Sequence, residues 1–160
     1  WCQARAEEFV RQTEAAGARG ITILHFLGGI SVDVAGHRAV SQTKMTINQR
    51  APVSGVPVDV VCTGRFYDFL EERDGKWAIV LRQPIYEKDR LDPVVPGTTV
   101  PLEQELLQRF PAEYQHLAYV QTKAGFTVKT DMPLLRGEKV QRLYAAGRAW
   151  LRGEDHGWAG

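Results

Sequence analysis

The side chain best suited to chemistry in this sequence is His25, set inside the apolar run Ile21-Thr22-Ile23-Leu24-His25-Phe26-Leu27. An imidazole titrates near neutral pH, so it can take up and return a proton under ordinary conditions. On a cavity wall, with one carboxylate to fix its tautomer, it would serve as a general base. Bonded to backbone in a core, it would be structural. Four more polar residues interrupt apolar stretches: Arg65 and Tyr67 in VDVVCTGRFYDFLEER, and Arg82 and Tyr86 in WAIVLRQPIYEKDR. Residues two apart on a strand share a face, so Arg65 and Tyr67 point the same way. Arg82 and Tyr86 do so too, unless Pro84 marks a bulge. Facing a cavity, either pair would orient a substrate carbonyl or hydroxyl. Facing outward, each would be a salt-bridged sheet surface.

The other reactive types read more plainly. Asp59, at a strand start, and Asp68 are weak carboxylate partners. Cys62 reads as a small core residue, since no activating base lies near it in sequence. His37 falls in a turn beside Arg38, His116 in a helix and His156 in the tail. Asp131-Met132-Pro133 reads as a helix-entry turn and not as a metal site. Cys2 and Cys62 form no CxxC pair and lie near no histidine set, so no zinc or redox motif is present. They are read as two reduced thiols of a cytoplasmic protein, with a Cys2–Cys62 disulfide as the other reading.

Those residues need elements to hold them. The 160 residues suit one domain, and 20 Lys and Arg against 19 Asp and Glu leave a net charge of +1. That balance gives no reason to expect nucleic acid or an anionic membrane as partner. No apolar run approaches the roughly 20 residues of a membrane span, and the opening WCQARAEEF reads as helix and not as a signal peptide. Helical spacing runs over 1–18, with Gly17 and Gly20 at its end. The almost wholly apolar run from Ile21 predicts a strand covered on both faces. Gly28-Gly29 allows a bulge, Ile30, Val32 and Val34 alternate with polar residues, and Ala35-Gly36-His37-Arg38 turns the chain into a return strand ending at Ile47. Residues 49–57 read as a loop. A second hairpin runs from Val58 through Asp74-Gly75 to Tyr86, followed by a connector over 88–99. Helices are predicted from Val100 to Phe110, from Pro111 to Gly125, and from Gly137 to Gly153, with a frayed tail.

His25 in its apolar strand, then Gly36-His37-Arg38-Ala39, Gly64-Arg65-Phe66-Tyr67-Asp68, Arg73-Asp74-Gly75-Lys76-Trp77 and Leu81-Arg82, make a set that resembles the SnoaL-like branch of the nuclear-transport-factor-2-like superfamily. The resemblance covers about residues 1–95. It implies an α+β fold: a strongly curved, mostly antiparallel sheet forming a cone, with helices at its mouth. Residues 1–97 would be the cone and 98–160 a C-terminal helical extension packed on the same domain. In catalytic relatives a histidine at the His25 position works with an aspartate on a first helix, which would precede Trp1. The expectation is therefore a fragment of a longer protein, with loss of the N-terminal layer as the other reading.

The function that follows is cofactor-independent elimination or isomerisation of a small hydrophobic molecule, with His25 as catalytic base and Arg65, Tyr67, Arg82 and Tyr86 binding the substrate. No metal or other cofactor is called for. The alternatives are a non-catalytic ligand-binding or dimerisation module, and the small subunit of a ring-hydroxylating dioxygenase. Alternating apolar residues on both sheet faces predict a homodimer through the face opposite the cavity.

Overall fold

The computed structural model describes residues 22–159 together with Arg5, Glu7, Glu8, Val10, Arg11 and Glu14. Cys2, Gly17, Gly20 and Ile21 lie outside the described residues, and so does the Cys2–Cys62 pairing. Four strands follow one another without an intervening helix: β1 Thr22–Ala35, β2 Arg38–Val53, β3 Val56–Arg73 and β4 Lys76–Pro93. They hydrogen-bond in the order β1-β2-β3-β4 and make a curved antiparallel sheet in an α+β fold. Three helices follow: α1 Gln104–Leu107, α2 Gln115–Lys123 and α3 Glu138–Leu151. No helix among the described residues is long and apolar enough to cross a membrane.

Turn chemistry sets the strand lengths. Asp74 and Gly75 both take positive φ, 52° and 74°, the primed turn whose twist matches the flanking strands. Ser54 and Gly55, at 48° and 81°, do the same between β2 and β3. The loop expected over 49–57 is therefore strand on both sides of a two-residue turn. Pro52 falls in the last two residues of β2. β4 likewise runs on to Pro93, into the segment read as a connector. The helix expected from Val100 to Phe110 shrinks to a single turn, α1, whose start carries no side-chain cap. A helix that short gains too little to offset its nucleation.

By internal contacts the chain forms two compact units. The first joins residues 1–25, 47–62 and 89–130. Its core is Val58, Val60 and Cys62 of β3 with Leu117, Ala118 and Val120 of α2, all buried. Asp89 of β4 accepts the backbone N–H of Leu117 at 2.8 Å and lies 2.8 Å from His116 Nδ1, tying strand to helix start. Tyr114 Oη donates to the Lys129 carbonyl at 3.0 Å.

The second unit joins residues 26–46, 63–88 and 131–160. Here α3 packs on one face of the strands. Val40, Tyr67, Phe69 and Ile85 from the sheet meet Val140, Leu143 and Trp150 from the helix. The alternation that puts Tyr67 and Phe69 on this face puts Arg65 there too. Gly137 precedes the helix and Gly153, at φ 88°, follows it, as the sequence predicts. The tail is docked, not frayed. His156 lies against Phe69 and Trp150, with ring centroids 5.1 and 5.7 Å apart. Trp158 Nε1 donates to Gln83 Oε1 at 3.0 Å. Two aromatic rings and a buried amide partner outweigh the entropy that glycine-rich termini ordinarily keep.

Strand β1 departs most from expectation. The sequence predicts burial on both faces, yet every described residue of β1 except Ile23 is exposed. Among the described residues β1 is an edge strand of the sheet.

Candidate functional site

α3 and the sheet face beneath it line a half-open cleft of about 270 Å³ in the second unit. β1 contributes Ser31 and Asp33, β2 contributes Val40 and Gln42, β3 contributes Tyr67, and α3 contributes Tyr144 and Arg148 one helical turn apart. Two of its lining residues, Tyr144 and Gln42, are tied to an ion-pair network. Glu87 of β4 binds Lys44 Nζ at 2.8 Å and also the guanidinium of Arg65. Arg65 Nε donates to Tyr144 Oη at 3.1 Å, and a second guanidinium N–H reaches the same oxygen. Tyr144 Oη lies 3.2 Å from Gln42 Oε1, to which it donates.

The charges respond to this packing. Burial acts to lower the Arg65 pKa, but its contacts with Tyr144 and Glu87 outweigh that and raise it. Burial acts to raise Glu87, and the donors Lys44 and Arg65 outweigh it, holding the carboxyl below its ordinary value. Tyr67 is only 4% exposed. Its phenol is pushed up to about 12, chiefly by burial, with the fields of Tyr144 and Asp33 adding and that of Arg148 opposing. It is therefore a neutral O–H across the physiological range. Among the described residues Tyr67 Oη has no hydrogen-bond partner. It is held close because its neighbour on α3 is Gly147, where a Cβ would stand 1.8 Å from that oxygen. Asp33 and Arg148 likewise form no ion pair among the described residues. No group of three or more described His, Cys, Asp or Glu residues could hold a metal ion.

The residues singled out from sequence fall in different places. Tyr67 lines the cleft. Arg65 shares its strand face but not the lining: its guanidinium is committed to Glu87 and Tyr144. Arg82 grips Asp68 with two hydrogen bonds of 2.8 and 2.7 Å and stacks over Phe66. That pairing keeps its charge on the sheet surface. Tyr86 is buried and its N–H donates to the Pro133 carbonyl at 3.0 Å, beside a parallel bridge to Leu134. His25 is expected in an enclosed apolar wall, and the structure corrects that: its side chain is exposed on the edge strand β1. Of the weaker candidates, Asp59 pairs with Arg50 and His37 lies 3.0 Å from Glu72. Sequence reasoning missed Asp33, Gln42, Tyr144 and Arg148. The signal for Gln42 was its parity with Val40. That for Tyr144 and Arg148 was their shared helical face with Gly147.

An antiparallel sheet with helices following it, one of them packed on a sheet face, is an α+β architecture. The chain belongs to the SnoaL-like domain family, which matches residues 3–83. It is 36% identical to pea pathogenicity protein 2 of Fusarium vanettenii over 159 residues, covering 93% of this chain and 68% of the relative. A PEP2-like protein of the same fungus is 34% identical over the same shares of each chain. An uncharacterized protein of Emericella nidulans is also 34% identical, over 93% of this chain and 69% of its own.

Proposed function

We propose that this protein acts on a small molecule in the cleft under α3, by cofactor-independent proton transfer that ends in elimination or isomerisation. The observation that carries this reading is the pairing, in one cleft, of a carboxylate, Asp33, with a neutral phenol, Tyr67, where among the described residues the first has no ion pair and the second no hydrogen bond. Removing a proton next to a carbonyl needs a base for the proton and a donor for the oxygen that gains charge. Asp33 supplies the first and Tyr67 the second. The membership in the SnoaL-like family supports the lyase or isomerase class. The relatives' pathogenicity name states no reaction.

The test is exchange of α-protons for deuterium in a panel of small ketones and β-hydroxy ketones, followed by NMR. Asp33→Asn should slow exchange by roughly a hundredfold or more, the usual loss for a general base. Wild-type exchange in Asp33→Asn would remove Asp33 from the reaction. Tight binding of panel members with no exchange in the wild type would favour a binding module. The exposed Ile30, Val32 and Val34 on β1 support the expected homodimer; light scattering at micromolar concentration checks it.

A further inference from the structure

Tyr144 Oη has one proton and two lone pairs. Two guanidinium N–H groups of Arg65 fill the lone pairs. Its own proton must then go to the remaining partner, Gln42, and only an oxygen can accept it. This fixes which end of the Gln42 amide faces Tyr144. The amide NH2 is the other end, and it has no hydrogen-bond partner among the described residues. Gln42 lines the same cleft as Tyr67, whose hydroxyl also has no hydrogen-bond partner among the described residues.

We infer that Gln42 Nε2 and Tyr67 Oη are the two hydrogen-bond donors of the ligand site, and that the ligand is a one- or two-ring aromatic compound presenting an acceptor oxygen as phenolate, enolate or carboxylate. The inference rests on the reading of the cleft given above and adds to it the ligand class and a second donor. Size follows from volume: about 270 Å³ is just below the roughly 300–1,000 Å³ of drug-sized sites. The ring preference follows from Tyr67 and Tyr144, whose centroids lie 5.4 Å apart at 56°, and from Val40 beside them. The negative oxygen follows from the donor count. Two uncharged donors and the Arg148 guanidinium reach the cleft, against one carboxylate, Asp33, on β1. Arg65 is a positioning residue: it touches no ligand, and acts by saturating Tyr144 so that Gln42 cannot turn.

Three fluorescent probes of one shape test this: 2-naphthoate, 2-naphthol and naphthalene, titrated into the whole chain. The wild type should bind naphthoate at least tenfold tighter than naphthalene, with naphthol between and tightening as pH rises through its own ionisation. Tyr67→Phe and Gln42→Glu should each lose at least tenfold for naphthoate and leave naphthalene unchanged. Tyr67→Phe removes a hydroxyl that bonds to nothing described, so the fold should stand. Gln42→Glu keeps the acceptor for Tyr144, replacing only the donor end. Arg65→Lys should weaken naphthoate and not naphthalene, and lower the discrimination between them. Equal binding of all three probes, unaffected by both variants, would overturn the donor assignment while leaving the cleft as a ligand site. Binding of none of them would overturn the cleft reading and this inference together.

Discussion

Gly147→Ala reports directly on the placement of Tyr67. In a helix interior the change gains about 1 kcal/mol, because alanine loses less backbone freedom than glycine. Here the new Cβ would stand 1.8 Å from Tyr67 Oη, 2.8 Å from Cζ and 3.0 Å from Cε1. The ring cannot simply swing away, since it packs edge-on against Phe69 and tilted against Tyr144, each at 5.4 Å between centroids. Overpacking of this kind costs about 1–3 kcal/mol. The net expectation is a loss of up to about 2 kcal/mol, which for a chain of this length lowers Tm by a few degrees, about 2–4 °C per kcal/mol. Thermal and urea melts measure it. Combining Gly147→Ala with Tyr67→Phe removes the nearest atom of the clash. The double variant should therefore recover part of the loss, with a coupling of about 0.5–2 kcal/mol. A Gly147→Ala protein that melts above the wild type, with no coupling to Tyr67, would show that Tyr67 Oη does not rest on that glycine.

Arg65→Met leaves Glu87 and Tyr144 without a partner they share. It should cost roughly 2–4 kcal/mol, below the 3–5 of a fully buried pair because Lys44 stays on Glu87; urea midpoints check it. Glu87 has a lowered pKa in the fold. Its contribution is full above the ordinary glutamate value of 4.5 and is lost as pH falls through the lower folded value. Stability curves of wild type and Glu87→Gln should thus separate at neutral pH and converge in acid, and parallel curves down to pH 3 would contradict the network. His25→Ala should cost about 1 kcal/mol or less, since the side chain is exposed yet not without interactions. A large fall in Tm would show that the imidazole is packed, and loss of turnover with the melt unchanged would mark it as the base.

The backbone was legible where local chemistry decides it. Asp74-Gly75 announces a primed turn, and the strands on either side must pair at that register. α3 shows the helical period from Val140 to Leu151 between two glycines, so both ends are marked. The 49–57 segment was misread because Pro52 and Gly55 signal a loop equally well. Only the conformation of Ser54, which a sequence does not display, makes it a two-residue turn. The burial of β1 was misread because an apolar run reports what a strand can pack against, not whether the partner is at hand. Of the residues lining the candidate cleft, one was singled out from sequence, Tyr67, which shares its strand face with Arg65. What converts that pair into a cleft is a contact eighty positions away in sequence, where Gly147 and Tyr144 come down from α3. No window along the chain contains both.

The docked tail has an optical consequence. Trp150 Nε1 donates to the Leu70 carbonyl at 3.0 Å, and its ring carries the Arg38 guanidinium 3.8 Å from its centroid and His156 on another side. Trp158 is anchored on Gln83. Two indoles in one unit thus sit where lifting residues 154–159 would expose them to water and remove a quenching imidazole, while the strands stay paired. Their emission should redden at lower denaturant than the loss of sheet signal in circular dichroism. This would let local opening of the chain end be timed separately from global unfolding.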